Sequence, residues 1–121
     1  MIRNVLFLLG LIGSVYAQEI KIVPNPLSSE EGVATIVYQL PDSPVDRVKM
    51  EIYDLFGNLV YKKEVLSGEQ GAISGQENTL TWNGRNGKGE KVASGVYILC
   101  IRAYQGNRAI FDEKERVGVA W

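Results

Sequence analysis

The sequence predicts an all-β domain in which about seven short antiparallel strands form the two sheets of a sandwich. Apolar and polar residues alternate with a period of two along most segments after residue 18, and turn residues recur between those segments. No stretch in that region has the three- and four-residue spacing of an amphipathic helix. A length of 121 residues suits a single domain. A small closed barrel fits the same pattern and is the alternative fold.

The first 17 residues have the three-part layout of a secretory signal peptide. Arg3 supplies one positive charge, residues 5–15 are almost wholly apolar, and small or compact residues precede Gln18. The apolar run is about half of the roughly 20 residues that a membrane-spanning helix needs. We therefore predict cleavage after Ala17 and export of residues 18–121, without a membrane span. No cysteine follows the cleavage point directly, which disfavours a lipid anchor.

The predicted strands are separated by segments rich in glycine, proline and asparagine. Residues 67–78 and 83–89 are predicted to be exposed loops, and both are candidate contact loops because binding is often carried by loops on a rigid scaffold. Pro24, Asn25 and Pro26 form a turn that no central strand could contain. The predicted strands span residues 19–23, 33–40, 47–54, 58–65, 79–82 and 95–104, and a last strand follows the Gly106-Asn107 turn.

The last two strands have contrasting patterns. Residues 95–104 are apolar on both faces, so we expect a central strand that is covered on both sides. In the final strand, charged residues 113–115 interrupt the apolar alternation. Such charges are expected on an edge strand, because they prevent it from pairing with other chains. The residues expected to share the apolar face of that strand are Ala109, Phe111, Val117, Val119 and Trp121.

The residue types argue against catalysis. The sequence contains no histidine, which excludes a Ser-His-Asp triad, a Cys-His pair and a histidine-ligated metal site. Cys100, the single cysteine, lies between Leu99 and Ile101, where a thiol behaves as a small inert hydrophobe. The aspartates Asp42, Asp46 and Asp112 match no calcium-loop spacing. We predict no catalytic, metal or cofactor site.

Two further patterns have a functional and a structural interpretation. The glycine-rich residues 84–89 contain Lys88 and could cradle a phosphate, but they match no phosphate-binding motif and no helix follows, so a structural loop is favoured. The aromatic residues Tyr38, Tyr53, Tyr61, Trp82, Tyr97 and Tyr104 could stack on a carbohydrate. The positions of Trp82 and Tyr97 instead predict burial, whereas Trp121 is expected to be exposed.

The charge balance bears on two classes of partner, nucleic acids and anionic membranes. Residues 18–121 contain 12 basic and 14 acidic residues. A chain this close to neutral has no electrostatic reason to bind nucleic acid or an anionic membrane.

Several separated motifs resemble one domain family. Residues 24–27 (PNPL), 48–60 (VKMEIYDLFGNLV), 81–86 (TWNGRN) and 92–97 (VASGVY) occur in the order seen in the FlgD-type immunoglobulin-like domain of flagellar hook-capping proteins. They are similar also to the related type A C-terminal sorting domain of type IX secretion cargo. The resemblance covers residues 22–119 and implies an immunoglobulin-like sandwich without enzymatic activity.

These observations predict an exported, non-catalytic module that acts as a structural or protein-binding component of the bacterial cell envelope. Its expected location is the periplasm, the outer cell surface or the medium. One alternative is a sorting domain for type IX secretion, detached or truncated from its cargo. Another is a small carbohydrate-binding module.

Overall fold

The structure is a computed structural model that describes residues 19–121 and is all-β in that range. The predicted signal peptide, residues 1–17, and its cleavage point lie outside the described residues. The strands agree with the predicted segments to within two residues at most ends, and a two-residue strand adds to the predicted seven. They are β1 (Ile20–Val23), β2 (Leu27–Ser28), β3 (Ala34–Gln39), β4 (Arg47–Tyr53), β5 (Leu59–Leu66), β6 (Glu77–Trp82), β7 (Gly95–Gln105) and β8 (Arg108–Ala120).

The strands form two sheets, as the sequence predicts. One sheet has the order β1-β3-β6 and the other has the order β2-β8-β7-β4-β5. Among residues 19–121 the strand pairs are antiparallel except β2 with β8, which is parallel. Two separate sheets confirm the sandwich rather than the closed barrel.

The core lies between the inner faces of the two sheets. Every second residue of β4 is buried, and the inner face of β7 is fully covered at Leu99 and Ile101. One aromatic pair marks each end of this core. Trp82 and Tyr97 meet edge-on at 6.0 Å between ring centroids, at what is called here the tip end. Tyr38 and Phe111 meet at 6.1 Å at the opposite end, called the closed end.

The prediction that β7 is covered on both faces is wrong for part of the strand. β7 does lie centrally, between β8 and β4. Its outer face, however, leaves Val96 45% exposed and Ile98 half-buried, while Cys100 is buried at 3%. A sandwich has two layers, so no second sheet covers the outer side. On that side, β7 is covered only partly, by side chains of the neighbouring strands β8 and β4.

The Pro24-Asn25-Pro26 segment closes part of the free edge of β8. The side-chain Nδ2 of Asn25 donates to the Arg116 carbonyl at 3.0 Å, and Oδ1 accepts from the Gly118 amide at 2.8 Å. The side-chain amide of Asn25 thus takes the place of a peptide group of a neighbouring strand. Farther along β8, β2 pairs with Val119 and Ala120. The charged stretch earlier in β8 forms the edge that the sequence predicts.

Two expectations about β8 and the C-terminal residue are wrong. Ala109 is exposed, because a bulge shifts the register of β8 against β7 between Ala103 and Tyr104. Trp121 is half-buried against the core. Its indole Nε1 donates to the Val92 carbonyl at 2.6 Å, and its ring occupies the space where Gly84 has no side chain.

Candidate functional site

Exposed apolar side chains concentrate at the tip end of the sandwich. Of the eight large apolar residues that are exposed within residues 19–121, six lie at this end, on both sheets. The two most exposed are neighbours in the β4–β5 turn. The six are Val23, Val33, Leu55, Phe56, Leu59 and Val96.

The β4–β5 turn, residues 54–58 and called the tip below, is built around one carboxylate. Oδ1 of Asp54 accepts from the amides of Phe56 and Asn58, each at 2.9 Å, and Oδ2 accepts from the Asn58 side chain at 3.0 Å. The Asp54 amide donates to the Asn58 carbonyl at 3.0 Å, and Gly57 has a φ of 88°, where a side chain would be strained. Hydrogen bonds from Asn58 and from the turn amides lower the pKa of the Asp54 carboxyl.

This rigid turn presents two apolar side chains to solvent. Phe56 is 91% exposed and Leu55 is 64% exposed. Turn positions are usually polar, so an apolar pair on a turn fixed by five hydrogen bonds has no evident role in folding. Association would not have to order the backbone, and this lowers the entropic cost of binding. The tip therefore has the properties of a preformed anchor for a pocket on another protein.

A depression of about 320 Å³ lies on the outer face of the five-stranded sheet, beside the tip. It is called the outer depression. Ile98 and Cys100 of β7 contribute apolar surface, Tyr53 and Leu55 lie on the side of the tip, and Lys114 of β8 lies across the sheet from them. Burial raises the pKa of the Cys100 thiol, so this sulfur is a poor nucleophile and acts as apolar surface.

A larger groove of about 610 Å³ lies on the other side of the tip, against residues 86–93. Its charges are mixed: Asp54 and Glu90 line it together with Lys88 and Lys91. The groove therefore has no clear preference for the charge of a ligand.

The comparisons with known proteins decide the family. The sequence model of the FlgD Ig-like domain matches residues 25–107, which is more than half of the chain. The chain belongs to this family. The FlgD Ig-like domain is a non-enzymatic domain. No curated protein sequence matches the chain closely enough to establish a relationship.

Solved structures with the same fold include secretion and surface proteins. A domain of PorZ, an essential bacterial surface component of the type-IX secretion system of Porphyromonas gingivalis, superposes with a TM-score of 0.56 and 25% identity over 84% of this chain. Latent PorU from the same organism superposes with a TM-score of 0.64 and 20% identity over 90% of this chain. FlgD from P. aeruginosa superposes with a TM-score of 0.59 and 16% identity over 87% of this chain. The chain spans 11% of PorZ, 10% of PorU and 78% of FlgD.

The glycine-rich loop of this FlgD Ig-like domain is a structural loop, as favoured from sequence. The amide of Arg85 donates to the Asn83 side chain, and the amides of Lys88 and Glu90 donate to Oδ1 of Asn86. The other three amides in residues 85–90 donate to backbone carbonyls. Since all six amides donate within the protein, the loop offers no cradle for a phosphate.

The three aspartates weighed as metal ligands have other roles or neighbours in this FlgD Ig-like domain. Asp46 accepts from the Gly106 amide, Asp112 pairs with Arg102 at 3.3 Å, and Asp42 lies close to Gly75. Within residues 19–121 no group of three or more acidic or thiol side chains is placed to hold a metal ion.

The six aromatic residues weighed as a carbohydrate platform do not share one surface. Trp82 and Tyr97 are buried, as predicted, and so is Tyr38. These three cannot stack on a sugar, and Tyr53, Tyr61 and Tyr104 are half-buried.

The two candidate contact loops lie at opposite ends of the molecule. Residues 83–89 adjoin the tip, whereas residues 67–78 are fastened to the closed end. The Tyr38 hydroxyl donates to the Gly71 carbonyl at 2.6 Å, and Gly71, Ala72 and Asn78 are buried. The prediction of an exposed loop at 67–78 therefore holds for most of its residues but not for these.

Sequence reasoning placed only a turn between the predicted strands at residues 47–54 and 58–65, and it missed the tip as a site. Its signal was available: a Leu-Phe pair between Asp54 and Gly57 puts large apolar side chains where turns carry polar ones. No helix long and apolar enough to cross a membrane occurs in residues 19–121.

Proposed function

We propose that residues 18–121 form an exported module of the bacterial cell envelope that works by binding a protein partner and catalyses no reaction. The observation that carries the proposal is the tip, where a turn fixed by hydrogen bonds holds Leu55 and Phe56 in solvent. Family membership supports it, because the FlgD Ig-like domain is non-enzymatic, and so does the likeness to PorZ, a bacterial surface component.

Export is part of this proposal and rests on the predicted signal peptide. The intact mass of the native protein from separated periplasmic, outer-envelope and medium fractions tests it. We expect a species that begins at Gln18. A native chain that retains residues 1–17 would contradict export by this route.

The binding role is tested by co-purification from the envelope fraction of the producing bacterium. We expect a defined protein to co-purify with the wild-type domain. The amount of this protein should fall at least tenfold with Leu55→Ser or Phe56→Ser. Leu66→Ser is the matched control, because Leu66 is 58% exposed but lies at the closed end. Equal loss with the control, or no effect of the tip substitutions, would refute binding through the tip.

A second candidate is a sorting domain that directs secretion by the type IX pathway. The 25% identity with a domain of PorZ favours it, although that domain is a small part of a protein of the secretion system. A reporter fused ahead of residues 18–121 should then reach the cell surface or medium of a bacterium that has the pathway. Retention of the fusion in the periplasm would exclude this candidate.

A further inference from the structure

The outer face of the five-stranded sheet carries cations without acidic partners near the tip. Lys114 lies opposite Cys100, and Arg116 lies opposite Ile98, on the strand next to β7. Both side chains are exposed, and within residues 19–121 neither lies within 4.0 Å of a carboxylate.

Two of the cations farther from the tip on the same face are paired with carboxylates, whereas Lys49 and Lys62 form no such pair within residues 19–121. Arg102 lies 3.0 Å from Glu51 and 3.3 Å from Asp112, and Arg47 lies 3.3 Å from Glu64. The face is therefore only partly neutralised farther from the tip. Positive charge without an acidic partner remains beside the outer depression.

The outer depression combines one of the cations without acidic partners, Lys114, with apolar surface. Lys114 lines it directly, together with Leu55, Ile98 and Cys100. Asp54 of the tip and Arg102, which is paired with Glu51 and Asp112, also line it. A ligand that enters it would meet an apolar surface on the side of the tip and an ammonium group on the side of β8. The matching chemistry is a large apolar side chain with a carboxylate close to it.

We propose that the tip and the outer depression bind an extended acidic segment of the protein partner, in which a large apolar side chain is flanked by aspartate or glutamate. This inference rests on the proposed function and specifies its partner. The apolar side chain fills the outer depression, and the flanking carboxylates pair with Lys114 and Arg116. Phe56 packs on the segment or in a pocket beside it.

The distribution of charge favours a protein segment over a membrane surface. Proteins that insert an apolar tip into an anionic bilayer benefit from cations around that tip, because the bilayer attracts them on all sides. Here carboxylates lie at the tip itself, because Asp54 lines both the outer depression and the groove, and Glu90 lines the groove together with Lys88 and Lys91. The apolar floor at Ile98 and Cys100 is also concave, which suits an inserted side chain.

The first test is a selection of displayed random 12-residue peptides on residues 18–121. We expect enrichment of sequences with an aromatic or large aliphatic residue next to Asp or Glu, and binding that weakens with added salt. Lys114→Gln and Phe56→Ser should each weaken the selected peptide at least tenfold. Lys21→Gln, an exposed lysine of β1 on the other sheet, should not.

A charge exchange sharpens the test. With Lys114→Glu, a selected peptide whose acidic residue is replaced by Lys should recover at least part of the lost affinity. No enrichment, a consensus without acidic residues, or affinity unchanged by Lys114→Gln would overturn the inference. A thermal unfolding curve for each variant separates lost binding from lost folding.

Two further outcomes separate this inference from the proposed function. Binding of the domain to phosphatidylglycerol-containing vesicles that is lost with Phe56→Ser would overturn the inference in favour of a membrane. An envelope protein whose co-purification depends on Phe56 but not on Lys114 or Arg116 would leave the proposed function standing and overturn the acidic segment. If no protein co-purifies with the wild-type domain, the proposed function itself fails.

Discussion

The two ends of the sandwich have the same kind of core and opposite kinds of surface. Each end contains a buried aromatic pair at a centroid distance close to 6 Å, Trp82 with Tyr97 at the tip end and Tyr38 with Phe111 at the closed end. Around the first pair lie six of the eight exposed large apolar residues, and around the second pair lie two.

Polar contacts fasten the closed end. The buried Asn78 side chain accepts from the Ile73 amide at 3.0 Å and donates to the carbonyls of Ile73 and Gln76. Asp46 and Arg47 bind the Gly106 amide and carbonyl from the neighbouring strand end. These backbone amides and carbonyls at the closed end thus have hydrogen-bond partners within the protein, as peptide groups shielded from water require.

The tip end is rigid as well, but its hydrogen bonds hold apolar side chains outward. We therefore expect the long loop at residues 67–78 to contribute to stability, and we propose that the short turn at residues 54–58 is used for contact. Substitutions should therefore separate the two effects. Core and closed-end changes should lower the free energy of unfolding, and tip changes should alter binding alone.

The largest expected loss of stability is for Trp82→Ala at the tip-end core. Trp82 is 1% exposed, packs edge-on against Tyr97 and donates to the Arg85 carbonyl at 2.9 Å. Removing a buried tryptophan costs about 3–5 kcal/mol. Urea unfolding measures it, with Val96→Ala at the same end as control, because Val96 is 45% exposed. A loss no larger than that of the control would show that this end is not anchored through its core.

Asn78→Ala should be the most costly polar change at the closed end. It removes three hydrogen bonds and leaves the amide and carbonyl of Ile73 without these partners, at a cost of about 2 kcal/mol. Gln70→Ala, which removes one exposed hydrogen bond to Thr79, is the control and should change stability by less than about 0.5 kcal/mol. Equal effects of the two substitutions would contradict the role assigned to Asn78.

Tyr38→Phe should cost about 1–1.5 kcal/mol at neutral pH, because it leaves the Gly71 carbonyl without its donor. Burial raises the pKa of Tyr38 above its ordinary value, so the folded state favours the neutral phenol. The associated stability is present below about pH 10, the unfolded pKa, and is lost as pH rises above it.

Unfolding curves between pH 7 and 11 therefore test Tyr38. The variant should lose less stability than the wild type over that range. It should retain some loss, because burial raises the pKa of Tyr97 as well. Parallel pH profiles for wild type and variant would contradict the burial of this hydroxyl.

Asn25→Asp should lower the free energy of unfolding by about 1 kcal/mol. The carboxylate keeps the acceptor for the Gly118 amide but loses the donor to the Arg116 carbonyl and faces that oxygen with negative charge. Hydrogen exchange at Gly118 should also become faster. An unchanged exchange rate and an unchanged midpoint of unfolding would show that Asn25 does not close the edge of β8.

The smallest expected effect on stability is for Phe56→Ser, less than about 0.5 kcal/mol, because the side chain is 91% exposed. Among these substitutions, the same change should weaken binding of the partner most strongly. A large loss of stability would mean that Phe56 has a role in folding, and the contrast between the two ends would not hold.

Local pattern sufficed for most of the fold. Alternation with a period of two placed the buried residues of β3 and β4 correctly, because side chains on a strand point to opposite faces whatever the sheet becomes. The burial of Cys100 also followed from its apolar neighbours. The exposure of Val96 did not, because the number of layers over a strand is set by the other strands.

Seven of the eight strands, the turn between β4 and β5 and the family resemblance could be predicted from the sequence, since each depends on residues close together in the chain. The export signal stays a prediction. Contacts between residues far apart in the chain depended on the tertiary structure. Asn25 meets Arg116 across 91 positions, and Trp121 lies over Gly84. The placement of Lys114 beside Leu55 likewise requires β8 and β4 to flank β7. Contacts between distant residues depend on strand order and register, which the alternation of apolar residues does not encode.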